Sequence, residues 1–102
     1  MPIEVELQGQ KGEVIETLPD FQDVLRRTLP TYDDSSFQLL SKINWYGDME
    51  FESGQMTAFL TELERIFPKA TSTHELEYLD QLKRIATRCA ATPGCSLKFF
   101  GD

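Results

Sequence analysis

Residues 48–68 read DMEFESGQMTAFLTELERIFP, and their hydrophobic period changes from two to 3.6 partway along. In Asp48-Met49-Glu50-Phe51-Glu52, Met49 and Phe51 point one way and three carboxylates the other, which is the alternation of a half-buried strand. From Gln55 to Phe67 the side chains of Met56, Phe59, Leu60, Leu63, Ile66 and Phe67 fall within about 120° of arc, the apolar stripe of a packed helix. Ser53 is placed to cap that helix and Pro68 to end it.

On the C-terminal side, Ser72-Thr73-His74-Glu75 fits a capping box in which Glu75 reaches back to the cap. A long helix follows to about Ala91, with Tyr78, Leu79, Leu82, Ile85, Ala86 and Cys89 as its apolar stripe. Thr92-Pro93-Gly94 stops it, and Cys95 to Phe100 reads as a last strand with Leu97 and Phe99 inward. On the N-terminal side, Asn44-Trp45-Tyr46-Gly47 is a turn, and Phe37 to Ile43 makes one or two helical turns started by Ser35 or Ser36. Asp20 to Leu29 forms a short helix with Asp20 as N-cap and Phe21, Val24 and Leu25 on one face, closed by Pro30. Ile3, Val5 and Leu7 alternate with Glu4, Glu6 and Gln8 in a first strand. Gly9 to Gly12 turns the chain into a return strand, Glu13 to Leu18, ended by Pro19. Adjacent Val14 and Ile15 leave its inward face open. The expected fold is α+β in a single domain, 1–102: about four mostly antiparallel strands in the order ββ(α)(α)βααβ. Two main helices and one or two short ones pack on one face.

Charge is unevenly placed. Residues 1–52 hold eleven carboxylates against four bases, whereas residues 53–102 hold six of each, so one half carries the whole net charge of −7. If the first and third strands share a sheet whose apolar side the helices cover, Glu4, Glu6, Asp48, Glu50 and Glu52 project from one face. Carboxylates directly across strands repel by up to about 1 kcal/mol per pair. A face that carries such repulsion suits a basic protein partner, through steering and later pairing. Trp45 or Phe100 beside it is a candidate aromatic anchor.

Other chemistry finds little purchase. Phosphate contacts need a basic patch, so neither nucleic acid nor an anionic membrane is an expected direct partner. No apolar run approaches the roughly 20 residues of a bilayer span. The opening Met1-Pro2-Ile3-Glu4 lacks the pattern of a secretory leader, so a cytoplasmic chain with reduced Cys89 and Cys95 is expected. His74, the only histidine, lies in the first turn of a helix, and Cys89 lies within an apolar stripe. Neither suggests nucleophilic catalysis. Asp33-Asp34 suits a turn better than a cation, which wants six or more oxygens. No enzyme activity, metal or cofactor is expected. The oligomeric state is left open.

Several words in the chain resemble a group of short bacterial proteins of undefined activity. They are Asp34-Ser35-Ser36-Phe37 with Leu39-Leu40, Tyr46-Gly47-Asp48 with Phe51, and Gln55-Met56 with Phe59-Leu60 and Glu62 through Arg65. Arg88-Cys89 and the closing Leu97-Lys98-Phe99-Phe100-Gly101-Asp102 complete the set. The likeness spans about residues 33–102 and implies no catalytic residue. Small acidic α+β chains of this kind are also similar in general character to bacterial immunity proteins, which neutralise toxins. The leading expectation is therefore an acidic interaction protein that occludes a basic partner such as a toxin. The alternatives are a small enzyme or ligand-binding domain using loop carboxylates, and a subunit of a larger assembly held by an apolar patch.

Overall fold

The computed structural model describes residues 3–20, 22–43 and 46–101. Strands β1 (Glu4–Gln8), β2 (Val14–Pro19), β3 (Asp48–Glu52) and β4 (Ser96–Phe100) form one antiparallel sheet in the order β2-β1-β4-β3. Among the described residues there are three α-helices: α1 (Val24–Thr28), α2 (Met56–Ile66) and α3 (Thr73–Ala91). Single 3₁₀ turns lie at Leu40–Lys42, Ser53–Gln55 and Phe67–Lys69. The α+β class and the order of elements are as expected. Inward residues of the sheet (Val5, Leu7, Leu18, Phe51, Leu97, Phe99) and the helix stripes (Met56, Phe59, Leu63, Ile66, Leu79, Leu82, Ile85, Cys89) merge into one buried cluster. Leu60 and Phe67 pack against it only partly buried. Cys89 and Cys95 are buried free thiols, and burial pushes the Cys89 thiol up to about 11.

Boundaries moved where capping groups came from elsewhere. α1 starts at Val24 rather than at residue 20, yet Asp20 still serves it. Its two carboxylate oxygens accept the Val24 and Leu25 N–H groups, each at 2.8 Å. Phe21, expected on the same apolar face, lies outside the described residues. Ser53 does not cap α2. It opens a 3₁₀ turn that leads into the helix, and the Glu52 N–H before it donates to Gln55 Oε1 at 2.8 Å. Pro68 does not stop the coil sharply either, because it sits inside a 3₁₀ turn that continues from α2. The segment 37–43 keeps one 3₁₀ turn, started by neither Ser35 nor Ser36. Glu62 on α2 accepts the N–H groups of Leu39 and Leu40 at its head. In β2 a bulge opposite Leu7 and Gln8 leaves both Val14 and Ile15 exposed and turns Glu16 and Leu18 to the helix side. The strand also runs through Pro19 instead of ending before it. Gly94, at φ +89, makes the left-handed reversal from α3 into β4 that a side chain would strain.

The α3 cap forms as expected, with the Glu75 N–H donating to Ser72 Oγ at 3.2 Å. The Glu75 carboxylate, however, passes the Ser72 amide. It accepts the Thr71 N–H at 3.0 Å and the Arg27 Nε–H at 2.7 Å, which hold it below the usual carboxylate range. Glu16 is likewise lowered, chiefly by hydrogen bonds from Arg84 and Arg88 on α3. A carboxyl with a depressed folded pKa contributes stability above its unfolded value, near 4.5, and loses it as pH falls, because the unfolded chain takes the proton first. Asp20, raised by burial, works in the opposite sense. Thermal unfolding of Glu75→Gln should therefore fall clearly below the parent at neutral pH and converge with it as pH drops to about 3. A gap that persists unchanged in acid would mean that packing, not charge, is what Glu75 contributes.

Candidate functional site

The register of the sheet decides which side chains share its open face. Glu4, Glu6 and Gln8 of β1 stand opposite Phe100, Lys98 and Ser96 of β4, and these stand opposite Asp48, Glu50 and Glu52 of β3. One row across the face reads Glu4, Phe100, Asp48, the next Glu6, Lys98, Glu50, and the third Gln8, Ser96, Glu52. All five expected carboxylates therefore lie on one side of the sheet. Glu4, Asp48, Glu50 and Glu52 are exposed and Glu6 is half-buried. Among the described residues none of the five is ion-paired.

The expected direct repulsion between β1 and β3 is corrected by β4, which lies between them. With strands about 4.8 Å apart, Glu6 and Glu50 stand about 10 Å from one another. That is beyond the roughly 8 Å screening length at physiological salt, so their mutual repulsion is weak. Lys98, between them, faces a carboxylate on either side and carries its Nζ over the Phe100 ring at 5.0 Å from the centroid. Local polar bonds orient two of the acids: Gln8 Nε2 donates to Glu6 at 3.0 Å and Ser96 Oγ donates to Glu50 at 2.9 Å.

The two ends of the face differ. At one end stand half-buried Phe100 and, just before β3, exposed Tyr46. Trp45, the other expected anchor, lies outside the described residues. At the opposite end the face opens into a hollow of about 420 Å³ between the β1–β2 turn, the start of β4 and the 3₁₀ turn after β3. Glu50 and Glu52 line one part of it, and Gly9, Gly12, Gly54 and Gly94 line it alongside Gln8, Gln10 and Ser53. Residue order did not reveal this hollow. Its only trace was glycine in three separate turns, which the turns themselves explain.

Four other bases serve the helix side. Arg27 pairs with Glu75, Lys83 with Glu64, and Arg84 and Arg88 with Glu16, so three bases of α3 hold α2 and β2 against it. Arg26 instead pairs locally, 3.4 Å from Asp23 three residues before it. Glu16, Glu64 and Glu75 on the helix side thus have cationic partners within 4 Å, whereas among the described residues the five acids of the open face have none.

The other expected sites are modest. Asp34 accepts the Ser36 N–H and Oγ–H at 3.0 and 2.6 Å, the turn role expected of it, and these bonds hold its carboxyl low. Among the described residues, no group of three or more His, Cys, Asp or Glu side chains is placed to hold a metal ion. Nor, among them, is any helix long and apolar enough to cross a membrane. A hollow of about 370 Å³ beside α3 is lined by Asp20, His74, Glu77 and Tyr78, but Asp20 is committed to capping α1. Family models, curated proteins and solved structures offer no match to this chain, and its own geometry is what bears on its function.

Proposed function

We propose that this chain is a non-catalytic interaction protein, of the immunity or inhibitor type, that docks its open sheet face on a basic protein such as a toxin and occludes it. The observation that carries this reading is the contrast in pairing. Among the described residues, five carboxylates gather on one face without ion pairs, while Glu16, Glu64 and Glu75 on the helix side are each matched to Lys or Arg. Unpaired surface charge of one sign steers a partner of the other sign and raises its on-rate. Phe100, in the row between Glu4 and Asp48, supplies an apolar anchor at one end.

The test is capture of basic proteins from the host at low and at high salt, with Glu6→Lys/Glu50→Lys run in parallel. Capture by the parent should fall steeply with salt, and the double variant should bind at least about tenfold more weakly, as reversed charges oppose encounter and pairing. A flat salt profile, or a variant that captures as well as the parent, rejects the electrostatic mechanism. The two other readings have less behind them. An enzyme or ligand site using Asp33 and Asp34 must contend with Asp34 being tied to Ser36. An assembly held by an apolar patch would rely on Val14 and Ile15, 53% and 38% exposed on β2.

A further inference from the structure

The sheet has two outer strands, and they are finished differently. β2 carries a bulge, and it ends in Pro19, which has no N–H to offer. β3 has neither a bulge nor a proline, and its register with β4 is continuous. Two hydrogen bonds fix which way its backbone faces. The Gly101 N–H donates to the Gly47 carbonyl at 2.7 Å, and the Ser53 N–H to the Cys95 carbonyl at 3.0 Å. Odd-numbered residues are therefore the hydrogen-bonded partners of β4, and the even-numbered ones, Asp48, Glu50 and Glu52, turn their N–H and C=O groups to the open edge. Glu52 agrees, because its outward N–H is the one taken by Gln55 Oε1. The N–H and C=O groups of Asp48 and Glu50 have no partner among the described residues.

We propose that the β3 edge receives an extended segment of the partner as a fifth strand, with Lys or Arg at alternate positions lying on the acidic face beside Asp48, Glu50 and Glu52. The inference rests on the reading of that face as a docking surface and specifies how the partner is held: main-chain bonds to Asp48 and Glu50 supply affinity, and alternate cations supply selectivity. A second copy of this chain is the wrong occupant. Pairing β3 with itself would set carboxylate against carboxylate on the same face, which is destabilising. Edge carboxylates also bar neutral and acidic strands, so the same three residues exclude some partners and select others.

Two peptides test this at low ionic strength: a capped heptapeptide alternating lysine and valine, and the same peptide N-methylated on the amides that would face β3. Their charge is identical, so a difference reports the edge bonds. The plain peptide should bind at least about tenfold more tightly, the effect of one or two net hydrogen bonds, and should slow amide exchange at Asp48 and Glu50. Glu50→Pro removes an outward N–H without breaking a bond to β4, whereas Glu50→Gln removes only the charge. The proline variant should lose more affinity than the glutamine variant, with thermal unfolding of both confirming the fold. Equal binding of the two peptides overturns strand addition and leaves face docking intact. Binding of neither overturns strand addition, and the salt and charge-reversal test above then decides the docking reading independently.

Discussion

Phe51→Ala is expected to lower stability by about 4 kcal/mol, within the 3–5 kcal/mol range for truncating a buried Phe. Phe51 is fully buried on β3, and its ring meets Phe59 at 5.4 Å and, edge-on, Phe99 at 5.8 Å. Phe59 and Phe99 close the triangle at 5.9 Å. The three rings come from β3, α2 and β4, so they join the sheet to the helix layer at the strand that carries Asp48, Glu50 and Glu52. Truncation removes two aromatic contacts, each worth about 0.5–1.5 kcal/mol beyond area. It also leaves a void that two strands and a helix cannot close without shifting. Against a total of about 5–15 kcal/mol for a domain, such a loss leaves little margin. Urea unfolding measures it, and Phe51→Leu should cost no more than about 1.5 kcal/mol, as a swap that keeps most of the volume. A loss below about 2 kcal/mol for the alanine variant would mean that the layers collapse onto the gap, against the close packing inferred for this site.

Glu62→Ala should cost about 3 kcal/mol by a different route. Glu62 is 9% exposed on α2, and its carboxylate accepts the Leu40 N–H at 2.9 Å and the Leu39 N–H at 3.0 and 3.1 Å. The Leu40–Lys42 turn has no side-chain cap of its own, so Glu62 acts as its cap from another element. Alanine leaves two amides without an acceptor, one of them fully buried, and each orphaned donor costs about 1–3 kcal/mol. Glutamine keeps one oxygen in place and should cost about 1 kcal/mol. The midpoint of thermal unfolding should fall by about 12 °C or more for alanine, at the several degrees per kcal/mol typical of a chain this size. Faster hydrogen exchange at Leu39 and Leu40 would localise the effect. If both variants unfold with the parent, water replaces the carboxylate and the cap has no stabilising role.

These two residues mark how far residue order carries. Phe51 was readable as core, because period two in Asp48 to Glu52 places it opposite the carboxylates whatever its neighbours are. α3 was readable end to end, because Ser72, the apolar stripe and Thr92-Pro93-Gly94 are all local signals. Glu62 was not readable as a cap, since it reaches residues 22 and 23 positions earlier. For the same reason the start of α1 was misplaced. Its acceptor, Asp20, stands four residues before the helix, beyond the spacing of an ordinary N-cap. Glu16 was hidden by the bulge, which flips the pleat at Val14 and Ile15.

Alternation along each strand dictated which side chains face water, so the gathering of Glu4, Glu6, Asp48, Glu50 and Glu52 on one side needed only that both strands join one sheet. Strand order was beyond any local pattern, because a period of two specifies a face and never a neighbour. Long-range packing set β4 between β1 and β3. That placement puts Lys98 among the acids, spaces those of β1 from those of β3 past easy repulsion, and leaves β3 at the edge with the outward backbone groups of Asp48 and Glu50 unpartnered among the described residues.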